Sequence, residues 1–352
     1  MNTKFSLEYI ILLFLALFIN SCQTGERNAS DKEDENKLFS LLNSKEIGID
    51  FINTVKNQKN FNIFKYRNFY NGGGVAIGDI NNDGLADIYF TGNLVENKLY
   101  LNKGNLTFED ISKKAGIEGN KPWSTGVVMV DINQDGLLDI YVSNAGNLKG
   151  NNHDNDLYIN NGDLTFTEKA AEYNLAKTGF STHASFFDYD KDGDLDAYIL
   201  NNSNIPVSSL GYAEQRDKRA QDWENVPEIF RGVGDMLLRN DNGKFVDVSE
   251  DAGIYGSLIG FGLGVMVTDI NEDLYPDIYI SNDFYERDYL YINNQDGTFS
   301  EEIKNWTSHL SLSAMGVDIA DINNDGNADI FITDMLPEAD QRVKSVMEFE
   351  GY

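Results

Sequence analysis

The nonapeptide DINNDGLAD at residues 79–87, followed directly by the strand-like run IYF, decides the fold because it recurs. Near copies stand at 131–139 (DINQDGLLD), 188–196 (DYDKDGDLD), 269–277 (DINEDLYPD) and 321–329 (DINNDGNAD). Their first aspartates are 52, 57, 81 and 52 residues apart. Self-similarity at a period of about 50 residues marks a repeat architecture, in which each unit is one supersecondary element stacked on its neighbours.

A second landmark lies between the copies: an L-Y-x-N-type run ending at Asn102, Asn160, Asn240 or Asn293, then a glycine-bearing turn, then Phe108, Phe166, Phe245 or Phe299. From each of these asparagines to the next loop the distance is 28 or 29 residues. From each loop to its own asparagine it is 23, 29, 52 and 24. The unit is therefore of fixed length except for one variable connection. Short β-branched and aromatic runs flank the loops, VAIG before the first and IYF after it, and these read as buried strands. The glycine turns read as hairpins. Strand, loop, strand and a second hairpin predict about four strands per unit, an all-β propeller blade. No long helical period intervenes.

The loops carry oxygen ligands at the spacing a hard cation needs. Calcium takes six to eight oxygens, and a tight turn can present them from positions 1, 3, 5 and 9 with a backbone carbonyl at position 7. The side-chain candidates are Asp79, Asn81, Asp83 and Asp87; Asp131, Asn133, Asp135 and Asp139; Asp188, Asp190, Asp192 and Asp196; Asp269, Asn271, Asp273 and Asp277; and Asp321, Asn323, Asp325 and Asp329. Position 7 is Leu85, Leu137, Asp194, Tyr275 or Asn327. Glycine at position 6 permits the turn, and only the fourth loop breaks that rule, with Leu274 there and Pro276 nearby. Its ligands survive, so binding with strain is expected. An EF-hand is excluded: it needs a bidentate Glu at position 12 and flanking helices, whereas position 12 here is Phe90, Val142, Ile199, Ile280 or Ile332. Plain Asx-turns need one or two such side chains. Keeping four in all five copies favours up to five calcium ions.

Composition agrees. The 57 Asp and Glu against 28 Lys and Arg give a formal charge of -29, which argues against nucleic acid or an anionic membrane surface as partner. At 41% hydrophobic and 12% aromatic residues the chain is not a disordered polyacid. Bound divalent cations would offset part of that charge.

The N-terminus reads as an export signal. Lys4 precedes an apolar run from Tyr9 to Ile19, too short to span a bilayer, which meets Ser21 and Cys22, the only cysteine. This resembles a bacterial lipoprotein signal, with residues 1–22 removed as far as a lipidated Cys22, a polar tether over 23–46, and the repeat domain over 47–352. The localisation that follows is an exported protein lipid-anchored to the bacterial outer membrane or cell surface, its only membrane attachment being the lipid.

The loops and strands together resemble the FG-GAP/VCBS repeats of integrin-α propellers. With the L-Y-x-N hairpins and the AGI triplets at 115–117 and 252–254, they are similar to bacterial surface proteins of the cartilage-acidic-protein-like, ASPIC/UnbV-associated type. The resemblance implies a seven-bladed propeller with calcium on its blade loops, only part of which is expected here: the first unit has Gly48-Ile49 and a strand around Phe51 before its loop, and the last stops after Asp329.

His153, His183 and His309 have no zinc spacing and are expected at the surface or at strand edges. GFGLG at 260–264 is explained by close strand packing. An insertion at about 203–235 fills the 52-residue connection and carries Tyr212 and Trp223, candidates for partner contact. The alternative is a helix that covers a neighbouring blade. The expected function is non-enzymatic: a calcium-binding surface or adhesion module for a glycan or protein. The alternative is a lyase-like polysaccharide-processing enzyme or its accessory subunit, which needs a basic cluster beside a calcium.

Overall fold

The structure, a computed structural model, describes residues 38–146, 153–203, 234–256, 259–284 and 286–335. Cys22, Tyr212 and Trp223 lie outside the described residues. The described residues from Ser44 on belong to one compact unit.

Four antiparallel four-stranded sheets follow one another along the chain. The first is β1 (Val75–Gly78), β2 (Asp87–Phe90), β3 (Lys98–Asn102) and β4 (Phe108–Asp110). The second is β5 (Ser124–Val130), β6 (Asp139–Asn144), β7 (Asp156–Asn160) and β8 (Phe166–Glu168). The third is β9 (Ser181–Phe187), β10 (Asp196–Asn201), β11 (Met236–Asn240) and β12 (Phe245–Asp247). The fourth is β13 (Gly262–Thr268), β14 (Asp277–Asn282), β15 (Tyr289–Asn293) and β16 (Phe299–Glu301). A fifth sheet holds β17 (Ala314–Ala320) and β18 (Asp329–Asp334). Among the described residues the helices are single turns: α1 (Ser44–Ile47), α2 (Ser112–Ala115), α3 (Ala170–Tyr173) and α4 (Ile303–Trp306). The AGI triplet at 115–117 closes α2, with Gly116 at φ 76° taking the left-handed cap. Among the described residues no helix is long and apolar enough to cross a membrane.

The sheets are blades of a propeller. The first strand of each packs on the first strand of the next, β1 on β5, β5 on β9, β9 on β13 and β13 on β17. Inner strands approach closely, and glycine allows it: a Cβ on Gly126 of β5 would lie 2.5 Å from the Thr182 carbonyl oxygen of β9. A Cβ on Gly264 would lie 3.2 Å from Val317 of β17, and one on Gly262 would lie 2.2 Å from Leu200 Cδ1 of β10, so close packing explains two of the three glycines at 260–264. Apolar burial is divided among the blade boundaries. Tyr89 and Leu99 of the first blade pack with Val127, Ile140 and Val142 of the second. Tyr141 and Leu157 pack with Ala184 and Ile199 of the third. The second strands β6, β10 and β14 are buried along their whole length, hence the apolar runs at their centres, IYV, AYIL and IYI.

The end faces differ. Val127 is buried against the first blade, whereas its counterpart Val75 is 55% exposed. Phe331 is 57% exposed where Tyr89, Tyr141, Tyr198 and Tyr279 are buried. The described blades therefore form an open row of four complete blades and one hairpin.

Two expectations are corrected. Phe51 is in no strand; it precedes the sheet and stacks on Phe90 with ring centroids 5.1 Å apart. His153 is not at the surface but buried against Phe180, its Nδ1 on the Gly179 carbonyl. His183 lies mid-strand in β9, and burial pushes its imidazole below its ordinary range. His309 is exposed as expected.

Each blade also contains a polar socket beneath the second-strand tyrosine. In the second blade it holds Asn155, whose Oδ1 accepts from Asn144 N–H (2.8 Å) and whose Nδ2 donates to Tyr141 Oη (2.9 Å). In the first, Asn97 Oδ1 accepts from Gly92 N–H. The third and fourth blades place carboxylates there. Asp235 accepts from Tyr198 Oη and Asn201 N–H, both at 2.9 Å, and Asp288 from Tyr279 Oη and Asn282 N–H, both at 2.8 Å.

Candidate metal-binding loops

All five predicted loops are first-hairpin turns, joining β1 to β2, β5 to β6, β9 to β10, β13 to β14 and β17 to β18. Register places the last aspartate of each loop opposite the residue before its first: Asp87 faces Gly78, Asp139 faces Val130 and Asp277 faces Thr268. The loops fold alike. The first aspartate curls over the turn, as Asp79 does by accepting from Asp83 N–H (3.1 Å) and Gly84 N–H (2.7 Å). Asp131, Asp188, Asp269 and Asp321 accept from the same two positions. The position-5 aspartates Asp83, Asp135, Asp192, Asp273 and Asp325 accept the N–H of position 7, contributed by Leu85, Leu137, Asp194, Tyr275 and Asn327. At position 3, Asn81, Asn133, Asp190, Asn271 and Asn323 each accept the position-5 N–H.

In the four complete blades the last aspartate is buried and doubly held. Asp139 Oδ2 accepts from Ile132 N–H (3.2 Å) and Oδ1 from Asn160 N–H (2.8 Å). Asp87, Asp196 and Asp277 do the same with Asn102, Asn240 and Asn293. Asp329 takes the Ile322 N–H. Sequence reading assigned the L-Y-x-N asparagines to a hairpin only. Their side-chain amides also donate to position 8 of the loop, Asn102 to Ala86 and Asn160 to Leu138, so they brace the last ligand. Their recurrence beside the loops was the available signal.

Burial and like charge act unequally on the loop carboxyls. Burial pushes Asp139 up to about 6 and Asp196 up to about 7, against the pull of their backbone donors. Burial, then Asp192, Asp190 and Asp188, pushes Asp194 up to about 6. For half-buried Asp79 desolvation is the largest single effect and raises it, but the backbone donors Gly84, Asp83, Asn81 and Asn82 together outweigh it and hold the carboxyl below the usual range. In the third loop, ligand oxygens of Asp188, Asp190 and Asp196 lie within 4.8 Å of one another, and one Asp194 oxygen is buried without a hydrogen-bond partner. An all-oxygen set of carboxylates, amides and a carbonyl fits calcium's preference.

The fourth loop is strained as expected. Leu274 sits at φ 71°, a left-handed conformation costly for a side chain, yet its N–H still reaches Asp269 Oδ2 at 2.8 Å. Position 4 is also left-handed in every loop, at Asn82, Gln134, Lys191, Glu272 and Asn324, which sequence reading did not anticipate.

The loops and the second hairpins share one end of the blades; the second-to-third-strand connections, where all length variation collects, lie at the other. There Leu94 N–H bonds Pro122 and Asn97 N–H bonds Glu118. An aromatic cluster at that end joins Phe61, Tyr66 and Phe69, from the segment before β1, to Trp123 and Phe180.

Among known proteins, the chain is 33% identical to Cartilage acidic protein 1 of Xenopus tropicalis over 136 residues, 38% of this chain and 20% of the relative. It is 26% identical to Cartilage acidic protein 1 of Mus musculus over 216 residues, 60% of this chain and 29% of the relative. It thus spans less than a third of either relative's length. Among solved structures it is similar to an Agrocybe aegerita lectin described as recognising non-reducing terminal N-acetylglucosamine (TM-score 0.39, 20% identity, 73% of this chain and 59% of that one). It is also similar to the V. cholerae biofilm matrix protein Bap1 (TM-score 0.31, 13% identity, 73% and 65%). The FG-GAP-like repeat profile matches residues 79–142, 145–199 and 269–332, which is just over half of the chain and takes in all five loops. The chain belongs to the FG-GAP-like repeat family.

Proposed function

We propose that this protein is a calcium-loaded, non-catalytic binding module that an exported, Cys22-lipidated chain displays at the bacterial cell surface. The observation that carries the reading is the division of the blade row into two ends. At one end five loops repeat the same oxygen set; at the other the connections vary, from residues 91–97 in the first blade to 202–235 in the third. Repetition suits a scaffold held by ions. Variation on a rigid support suits recognition. The calcium would be held by the side chains at positions 1, 3, 5 and 9 and the carbonyl at position 7, where it would neutralise carboxylates that burial and mutual repulsion now oppose. The partner is a glycan or a protein met at the variable end, with Tyr212 and Trp223 of the insertion as contact candidates.

The deciding experiment replaces residues 211–227 by a short Gly/Ser linker, which costs little in loop closure. The shortened protein should bind calcium and melt as before, yet lose capture of glycans or surface proteins in an array. Retained capture by a folded variant refutes recognition through the insertion. Calcium titrations with no heat and no change in melting refute the scaffold reading. For the anchor, Cys22→Ser should move the protein from the membrane to the soluble fraction.

A further inference from the structure

The loops touch one another across the blade boundaries. Asn82, position 4 of the first loop, donates through Nδ2 to the carbonyl of Gly136, position 6 of the second (2.9 Å). Gln134, position 4 of the second, donates through Nε2 to the carbonyl of Gly193, position 6 of the third (2.8 Å). Each acceptor glycine is also held by its own loop: Gly136 N–H bonds Asp131 Oδ2 (2.8 Å) and Gly193 N–H bonds Asp188 Oδ2 (3.1 Å). One residue of the turn is thus gripped on one side by its own first ligand and on the other by the preceding loop. At the third boundary the link changes: Lys191 Nζ, again position 4, lies 4.3 Å from the ring centre of Tyr275, position 7 of the fourth loop. A second set of struts crosses two boundaries. Asn160 Nδ2 reaches back to the Ile80 carbonyl (2.8 Å) and Asn293 Nδ2 to the Tyr189 carbonyl (2.9 Å), both position 2 of the preceding blade's loop.

The loops are also unequal. The third has carboxylates at all five odd positions, Asp188 to Asp196, where the others have three at positions 1, 5 and 9. Calcium affinity rises with ligand charge and rigidity. The third loop also holds the gathered oxygens and the partnerless Asp194 oxygen.

We infer that cation loading is ordered and cooperative: the third loop fills first, and its ordering of Gly193 and Tyr189 raises the affinity of the second and fourth loops through Gln134 and Asn293. This rests on the reading that the loops bind calcium. Each exposed link has the strength of one hydrogen bond, so the coupling per boundary is about two- to tenfold in affinity. The coupling is reciprocal, since linkage requires each site to change the other by the same factor.

The test is a calcium titration of the full chain followed site by site through the backbone amide resonances of Gly84, Gly136, Gly193 and Gly326, with calorimetry alongside. Gly193 should titrate at the lowest calcium. Gln134→Ala removes a link and no ligand. It should leave the Gly193 transition within twofold while shifting Gly136 about two- to tenfold to higher calcium, with melting in EGTA unchanged. Asp194→Asn should weaken the Gly193 transition about tenfold and move Gly136 with it. Glycines that titrate together at one midpoint, a Gly136 transition untouched by Gln134→Ala, or a Gly193 transition untouched by Asp194→Asn each overturn the inference while leaving calcium binding intact. A flat titration overturns both it and the scaffold reading.

Discussion

Asp235→Asn should stabilise the third blade at neutral pH and destabilise it in acid. The carboxylate is enclosed, its oxygens accepting from Tyr198 Oη and Asn201 N–H, and burial pushes it up to about 7 from an ordinary 3.8. A carboxyl whose folded pKa is raised favours the fold when protonated. That contribution is whole below about pH 4, falls as pH climbs through the folded value of about 7, and is absent above it. Each tenfold change in proton affinity is worth about 1.4 kcal/mol, so the rise from 3.8 to about 7 sets an upper limit of about 4 kcal/mol. Asparagine reproduces the second blade, where Asn155 accepts from Asn144 N–H and donates to Tyr141 Oη. Tyr198 must then find another acceptor for its own proton, as Tyr141 does in the Leu175 carbonyl, and imperfect replacement costs about 1–3 kcal/mol. The net effect expected is a gain of about 1–3 kcal/mol at pH 8 that turns into a loss of about 1–3 kcal/mol near pH 4, where the charge penalty is gone and only the hydrogen-bond cost remains. Urea unfolding at saturating calcium, run from pH 5 to 8, measures it. A variant no more stable than the parent at pH 8, or one whose advantage is the same at pH 5, refutes the assignment of a costly buried charge.

Chelation should lower the melting temperature: at about 1 mM calcium and dissociation constants of ~10⁻⁴–10⁻³ M, each loop contributes about 0.4–1.4 kcal/mol by mass action, which calorimetry with and without EGTA reads directly. Leu274→Gly should stabilise the protein by about 0.5–1 kcal/mol, because it relieves a left-handed leucine that is 76% exposed and loses little burial; denaturant melts of the two forms decide it. Gly126→Ala should destabilise by about 1–3 kcal/mol, since its Cβ would lie 2.5 Å from both Thr182 O and His183 Nδ1, and unchanged unfolding would show that the inner strands can spread.

The strands and loops were legible because their causes are local and repeated. Short β-branched and aromatic runs and a ligand at every odd loop position each state their structure within nine residues, and five copies remove chance. What was illegible depends on neighbours. Asn160 looks like a turn residue until the Ile80 carbonyl of the preceding blade lies beneath it. Position 4 looks free to be anything, yet left-handed backbone at Asn82 and Gln134 accompanies side chains that reach the next loop. The segment holding Phe61, Tyr66 and Phe69 has no strand or helix period, and only Trp123 and Phe180, 54 and 111 residues beyond Phe69, make it a core element. His153 was misplaced for the same reason: a polar ring reads as surface unless its acceptor, the Gly179 carbonyl, is known.

The two-ended construction of the blades has a consequence for how such a chain can change. An insertion between the second and third strands adds length on the side away from the oxygen cages, so nothing in their geometry registers it. The third unit demonstrates this: 52 residues separate Asp188 from Asn240 instead of the 23 of the first unit, yet Asn240 N–H still meets Asp196 Oδ1 at 2.8 Å. Peptides grafted within these connections, clear of the socket residues Asn97, Asn155 and Asp288, should therefore be carried without altering the loop geometry. The repeat is in that sense a display frame whose cargo and fastening can be revised separately.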